Sequence, residues 1–347
     1  MSSRSSVVAA ENAPRIALVG CGAITEWFYA PALARHSTVR KNLVLVDRDE
    51  ARVKKLATKW SVTKFAGDYR EVLDEVDGAI LAVPTHLHHP IAMEFLARGI
   101  PVLCEKPLAQ SAPQAREMVN LAEQTGAALA ANYTRRLYAS FGKIKEMLAS
   151  RTLGEPLSIE YLVGEEFKWP TVSGFYFDTA TSPRGVLLDG GSHVMDIICW
   201  WLGGKPELRS CQNDSFGGID AVTHVQFVHG RCDGTVKLSW LGKSASRYTI
   251  KCEAGTIEGG IYDFGSVGLT TPSGHKKVVH LKANEKYYSD FGYKMVDNFI
   301  DVIAGRARPL VSGRDVLDSM EFIDECYESA SRFDMPWYDI AVDDDGR

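Results

Sequence analysis

No apolar run in this 347-residue chain approaches the roughly 20 residues that a membrane-spanning helix needs. No two of its 7 cysteines form a C-x-x-C pair, and an odd number excludes a tidy disulfide framework or an obvious zinc ribbon. A reduced, cytoplasmic setting is the simpler expectation. Positive charge is not in excess either. Lys+Arg total 39 against 44 for Asp+Glu, a net charge of −5, so no global attraction to a phosphate backbone exists and nucleic acid is a poor partner. There is no internal repeat and no low-complexity linker. Residues 1–13 hold no apolar segment of the secretory type and read as a disordered leader. The tail after Tyr338, with Asp339, Asp343, Asp344 and Asp345, reads as a solvated end. Without a secretion signal, the glycosylation patterns at Asn132 and Asn213 are expected to be chance.

What is present is an ordinary globular composition, 45% apolar and 24% charged, at a length that suits two domains. In the first third, continuous apolar runs at 16–19, 43–46, 79–83 and 101–104 alternate with helix-like stretches near 24–36, 49–60, 88–98 and 111–125. Strands that are apolar throughout and separated by helices form a parallel sheet covered on both faces, which predicts a doubly wound α/β domain. After about residue 135 the pattern changes. Runs at 223–228, 235–240 and 248–252 alternate apolar with polar, the period of half-buried strands, and are joined through turns such as His229-Gly230 and Asp233-Gly234. A second, mostly antiparallel sheet is expected, with two closing helices near 290–304 and 313–332. The domains are therefore placed at 1–134 and 135–347.

Gly20-Cys21-Gly22-Ala23-Ile24-Thr25 follows the first strand and opens a helix. Two glycines allow a tight turn and a close approach to a diphosphate, and a helix N-terminus supplies amide donors. Thr25 stands where the usual fingerprint has a third glycine. Asp47 ends the second strand about 20 residues on, where a carboxylate accepts from ribose hydroxyls. It favours NAD. The neighbouring Arg48 could pair with a 2′-phosphate, so NADP is not excluded. Lys106, in Cys104-Glu105-Lys106-Pro107, ends the fourth strand at the edge where α/β sheets bind ligands. Asp189 and His193 share a helix face at i, i+4, so the carboxylate is expected to orient the imidazole and favour its cation. His86, His88 and His89 lack a matched acid or cysteine, and no metal is assigned to them. Arg135 and Arg136 stand where the domains join. They are placed either to hold an anionic substrate group or to make interdomain ion pairs, and the sequence leaves both open.

These motifs in this order, together with Pro84-Thr85-His86-Leu87-His88, resemble the glucose–fructose oxidoreductase / inositol dehydrogenase / rhizopine catabolism family (Gfo/Idh/MocA). The resemblance runs over about residues 14–332 and includes Glu253-Ala254-Gly255-Thr256-Ile257 and Tyr327-Glu328-Ser329-Ala330. It implies an N-terminal Rossmann domain and a C-terminal α/β domain on a large, mostly antiparallel sheet. It implies NAD(P)-dependent hydride transfer to or from a sugar, sugar nucleotide or cyclitol, and a homo-oligomer, a dimer or tetramer. It matches the family's catalytic lysine, aspartate and histidine to Lys106, Asp189 and His193. It adds Pro84, Thr85, His88 and Glu105 to the cofactor side and the region of Trp169 to the substrate side. The glycine-rich run before the aspartate reads Ser182-Pro183-Arg184-Gly185 here, a departure that offers Arg184 to an acidic sugar or to the surface. An NAD-retaining glycoside hydrolase and a non-catalytic NAD(H)-binding regulator are the alternatives.

Overall fold

The computed structural model describes residues 13–170, 174–215 and 218–333. The expected leader and acidic tail lie outside the described residues, as does part of the loop after Trp169. Among the described residues the first sheet holds six parallel strands: β1 (Ile16–Val19), β2 (Val44–Val46), β3 (Lys64–Ala66), β4 (Gly78–Leu81), β5 (Val102–Cys104) and β6 (Leu129–Ala131). Their order is β3-β2-β1-β4-β5-β6. The chain reverses its direction of travel across the sheet between β1 and β4, which opens a crevice at the carboxyl ends of those strands. β1, β2, β4, β5 and β6 are buried throughout, so helices must cover both faces. Those helices are α1 (Ala30–Ala34), α2 (Ser37–Asn42), α3 (Glu50–Trp60), α4 (His88–Leu96) and α5 (Ala112–Thr125). Two strands escaped the apolar pattern. β3 is an edge strand with Lys64 and Phe65 exposed, and β6 is three residues long.

The second sheet has nine strands among the described residues, in the order β14-β13-β12-β11-β7-β10-β9-β8-β15. They are β7 (Pro156–Gly164), β8 (Glu207–Asn213), β9 (Val222–His229), β10 (Cys232–Ser239), β11 (Arg247–Cys252), β12 (Gly255–Gly260), β13 (Ser266–Thr270), β14 (Lys276–His280) and β15 (Ser331–Arg332). Only the β7–β10 and β8–β15 pairs are parallel. Period-two alternation is plain in β10, where Cys232, Gly234, Val236 and Leu238 are buried while Asp233 and Lys237 face out. The buried face carries α6 (Ala139–Ala149) and α7 (Gly190–Leu202).

The last part of the chain returns to the first sheet. The Ala131 amide donates to Val311 O at 2.9 Å and the Gly313 amide to Leu129 O at 2.8 Å, which extends the β6 edge. α8 (Asp290–Ile303) packs on α1, and α9 (Leu317–Glu328) packs on α5 and α7. Ser111, the N-cap of α5, makes no side-chain cap bond. Asp324 of α9 does the capping instead, accepting from the Ala112 amide at 2.7 Å. Asn132 and Asn213 are buried, so neither can carry a glycan. Among the described residues no helix is long and apolar enough to cross a membrane, and all seven cysteines are buried and unpaired.

Candidate active site

The site is assembled at the carboxyl edge of the first sheet. Gly20 closes β1 with a φ of +97°, and a Cβ there would strike the Ala82 carbonyl, so the turn requires glycine. The helix opens at Ala23, and its first-turn amides have no preceding turn to donate to. Thr25 replaces the third glycine without loosening the turn. Its hydroxyl donates to Gly20 O at 2.5 Å, and a π-helical turn over Thr25–Tyr29 leads into α1. Asp47 reaches across from β2. Its carboxylate accepts from the Cys21 amide at 2.8 Å, the Asp49 amide at 2.9 Å and Arg52 Nη1 at 3.2 Å. Asp47 therefore braces the glycine turn. Arg48 is exposed and has no acid within ion-pair distance among the described residues. Burial, then the charge of Arg48, pushes the nearby His86 imidazole down.

Glu105 and Lys106 follow β5. Glu105 is buried and accepts from Tyr29 Oη at 2.7 Å, Asn132 Nδ2 at 2.5 Å and the Lys106 amide at 3.0 Å. Burial raises its carboxyl above the usual range against those hydrogen bonds. Lys106 Nζ donates to Asp189 Oδ1 at 2.6 Å and approaches Asp189 O at 3.4 Å. Burial works to lower this ammonium, but the Asp189 carboxylate outweighs it and the pKa is raised. The Lys106–Pro107 peptide bond is cis. Pro84 and Thr85 open the turn after β4. His88 is fully buried, with Nδ1 at 2.8 Å from Pro107 O and Nε2 at 2.9 Å from Val83 O. Burial pushes its pKa down to about 4, and a neutral ring donates its single N–H to only one of the two carbonyls, so His88 acts as a strut behind Lys106.

The expected Asp189–His193 pairing is corrected. Asp189 gives its carboxylate to Lys106, and no bond joins it to His193. An ammonium across the cleft is a stronger partner for a carboxylate than a neutral imidazole. His193 Nδ1 is buried without a partner, which leaves Nε2 as the open nitrogen. Burial, then the charges of Arg135 and Lys106, pushes this imidazole well below its ordinary value. The sequence reading favoured the cation; the neutral ring is what this environment holds. The ring of Tyr133 packs edge-on against His193 at 6.1 Å. Two further tyrosines were missed. Tyr176, from the loop before α7, has its hydroxyl raised by burial and then by the charges of Asp189 and Glu105. Tyr288 accepts from Thr134 Oγ1 at 3.0 Å and lies within electrostatic reach of Lys106. Their only sequence signal was the density of aromatics in those segments.

The four substrate-side candidates separate. Arg136 does not face the cleft. It forks onto Asp196 of α7 at 2.9 and 2.8 Å and donates to Asp315 O at 2.7 Å. Arg184 is likewise drawn away, pairing with Asp324, donating to Gln110 O at 2.8 Å and lying 4.6 Å over the Tyr327 ring. The neighbouring Gly185 is kept because a Cβ there would strike the Asp220 backbone. Trp169 is partly exposed and meets Trp27 edge-on at 5.7 Å, joining the second sheet's loop to the helix after the glycine turn. Arg135 is 6% exposed, and its Nη1 donates to Tyr161 Oη at 3.2 Å. The three histidines after β4 do not converge: His88 bonds the two carbonyls, and His89 Nε2 lies 2.8 Å from Glu117. Among the described residues no group of three or more such ligands could hold a metal.

Residues 14–133 match the model of an oxidoreductase family with an NAD-binding Rossmann fold, and residues 141–258 match the GFO/IDH/MocA C-terminal domain. The rhizopine catabolism protein MocA of Rhizobium meliloti is 30% identical over 192 residues, 55% of this chain and 58% of that protein. The chain thus spans little more than half of that relative's length. A trans-1,2-dihydrobenzene-1,2-diol dehydrogenase of Macaca fascicularis is 32% identical over 236 residues, 65% of this chain and 70% of that protein. The solved structure of levoglucosan dehydrogenase with NADH and levoglucosan superposes with a TM-score of 0.79 at 17% identity, over 90% of this chain and 96% of that one. At that identity the likeness concerns the fold.

Proposed function

The chain belongs to the Gfo/Idh/MocA oxidoreductase family, and on that footing we propose that it moves a hydride between a nicotinamide dinucleotide and a secondary carbinol of a sugar, sugar nucleotide or cyclitol. The observation that carries this reading is the Lys106–Asp189 contact at 2.6 Å, with His193 one helical turn further along α7 and the glycine turn beside it.

The residues fit such a cofactor. A left-handed glycine, an open helix start and a carboxylate at the end of β2 converge at the switch point between β1 and β4. Gly20, Cys21, Gly22, Ala23 and Ile24 would hold the diphosphate, and Asp47 the ribose. A carboxylate at that place repels a 2′-phosphate and favours NAD over NADP. Bound there, the nicotinamide supplies the hydride acceptor or donor.

The remaining chemistry belongs to the chain. Lys106 donates a hydrogen bond to the substrate oxygen and stabilises the negative charge that develops on it. Asp189 holds the ammonium in place. His193, neutral and open at Nε2, accepts the hydroxyl proton in oxidation and returns it in reduction. The charges of Lys106 and Arg135 then favour release of that proton to solvent. The segment 1–134 carries the cofactor part and 135–347 the substrate part, with 311–313 returning to brace the first sheet. A dimer or tetramer through the open face of the second sheet goes with this reading. Nothing in the geometry favours a hydrolase or a regulator.

The test is kinetic. NAD and NADP are screened against sugars, sugar nucleotides and inositols, and Lys106→Met and His193→Ala are compared on the best substrate. Each variant should lose about 10²–10⁴-fold in kcat while NAD(H) binding, read by fluorescence titration, persists. Near-parental turnover in both would refute the assignment.

A further inference from the structure

Arg135 is a buried cation without an acid. It is 6% exposed, yet no carboxylate lies within ion-pair distance of it among the described residues. The contrast with its neighbour is sharp, because Arg136 takes both oxygens of Asp196. Around Arg135 stand tyrosines. Tyr161 Oη accepts one bond at 3.2 Å, and the Tyr262 ring lies 5.8 Å from the guanidinium carbon. A tyrosine face offsets only part of the cost of removing a guanidinium from water. Of its five N–H groups one is used, and its remaining nitrogens do not stand among the sealed, unpartnered buried atoms. They face accessible space.

That space belongs to the cleft. The segment carrying Arg135 runs along it: Asn132 donates to Glu105, Tyr133 packs on His193, and Thr134 donates to Tyr288. Arg135 also bears electrostatically on His193. We infer that the substrate carries a carboxylate, and that Arg135 receives it within one sugar ring of the carbon that reacts. The substrate class is therefore a sugar acid, a uronate or aldonate free or nucleotide-linked, rather than a neutral sugar or cyclitol. A single guanidinium matches a carboxylate in geometry and in charge, and a phosphate dianion would keep a negative charge unmatched. The inference rests on the oxidoreductase reading of the site. It adds a consequence for it: a carboxylate on Arg135 relieves the positive field at His193 and makes the imidazole a better base once substrate is bound.

The experiment is calorimetry on the NAD(H)-loaded protein with matched pairs in gluco, galacto and manno configuration, each uronate against its neutral hexose and its 6-phosphate. At least one uronate should bind tenfold or more tighter than its hexose and tighter than its phosphate. Arg135→Met should erase that preference while NAD(H) affinity is kept, and Arg135→Lys should restore part of it. Uronate and hexose binding within threefold in every pair, or no uronate binding at all, overturns the inference on the parental protein alone. A preference for the phosphate, or one that survives Arg135→Met, overturns it as well. The readout needs no turnover. Uronate binding through Arg135 with no carbinol oxidised would sink the oxidoreductase reading and leave this one; turnover confined to neutral sugars would do the reverse.

Discussion

Replacing Arg136 by methionine separates a structural arginine from a substrate arginine. Arg136 and Asp196 are 11% and 1% exposed in their side chains and joined by two short bonds, with a third to Asp315 O. Removing one member of such a pair leaves the other charge buried and uncompensated, at a cost of about 3–5 kcal/mol. With a urea slope of about 3 kcal/mol/M, the unfolding midpoint should fall by about 1–1.7 M. Burial already pushes the Asp196 carboxyl up, and Arg136 pulls it back. In the variant the acid binds a proton more readily when folded than when unfolded, so stability falls as pH rises. The deficit should be largest near pH 8 and shrink toward pH 5. Adding Asp196→Leu should recover most of the loss, because a well-packed apolar pair replaces a buried ion pair at little cost. Denaturation curves across pH and a KM measurement on the same proteins suffice. Parental stability with KM raised more than about tenfold would mean that Arg136 faces substrate and that its pairing with Asp196 carries little.

Four further outcomes are expected. His193 is held neutral, so the acid limb of kcat/KM for alcohol oxidation should lie below the ordinary value of 6.5; a limb at or above 6.5 contradicts the site's electrostatics. On the stability side, the unfolded state takes up this proton first, so the contribution of His193 is lost as pH falls below 6.5, and His193→Gln should flatten that slope. Gly20→Ala places a Cβ against Ala82 O at a left-handed φ of +97° and should cost more than about 1 kcal/mol in denaturation while weakening NAD(H) binding. Asp47→Ser removes the acceptor for Cys21, Asp49 and Arg52 and should lower NAD affinity by about tenfold or more, with NADP affected less, as fluorescence titration reads.

The parts of this protein that were legible in its sequence are those set by neighbours along the chain. The parallel strands show as unbroken apolar runs, and the glycine turn and Asp47 lie within one βαβ stretch. β3 and β6 were not legible, because an edge strand need not be apolar and the alanine-rich Leu129–Ala131 lacks the β-branched residues that mark β2 and β5. β7 sits in the middle of the second sheet, but only Ile159 and Tyr161 are buried in alternation with the half-buried Ser158 and Glu160, too short a run to mark it. The spacing of Asp189 and His193 predicts a pair. What overrode it was Lys106, 83 residues away, whose ammonium takes the carboxylate. Tyr176 and Tyr288 gave no signal that would separate them from core aromatics.

Arg135 and Arg136 show the division most plainly. As adjacent cations on one turn they are indistinguishable in the sequence, which determined the fold class and the glycine turn and offered Lys106, Asp189 and His193 as candidates. Only the tertiary structure decided that Arg136 is consumed by Asp196 while Arg135 is left with tyrosines, and that Arg184 is held by Asp324. Backbone periodicity is a short-range property, written where it acts. The partner of a buried charge is chosen by whichever opposite charge the fold brings within a few ångströms, and that distance does not exist until the chain has folded.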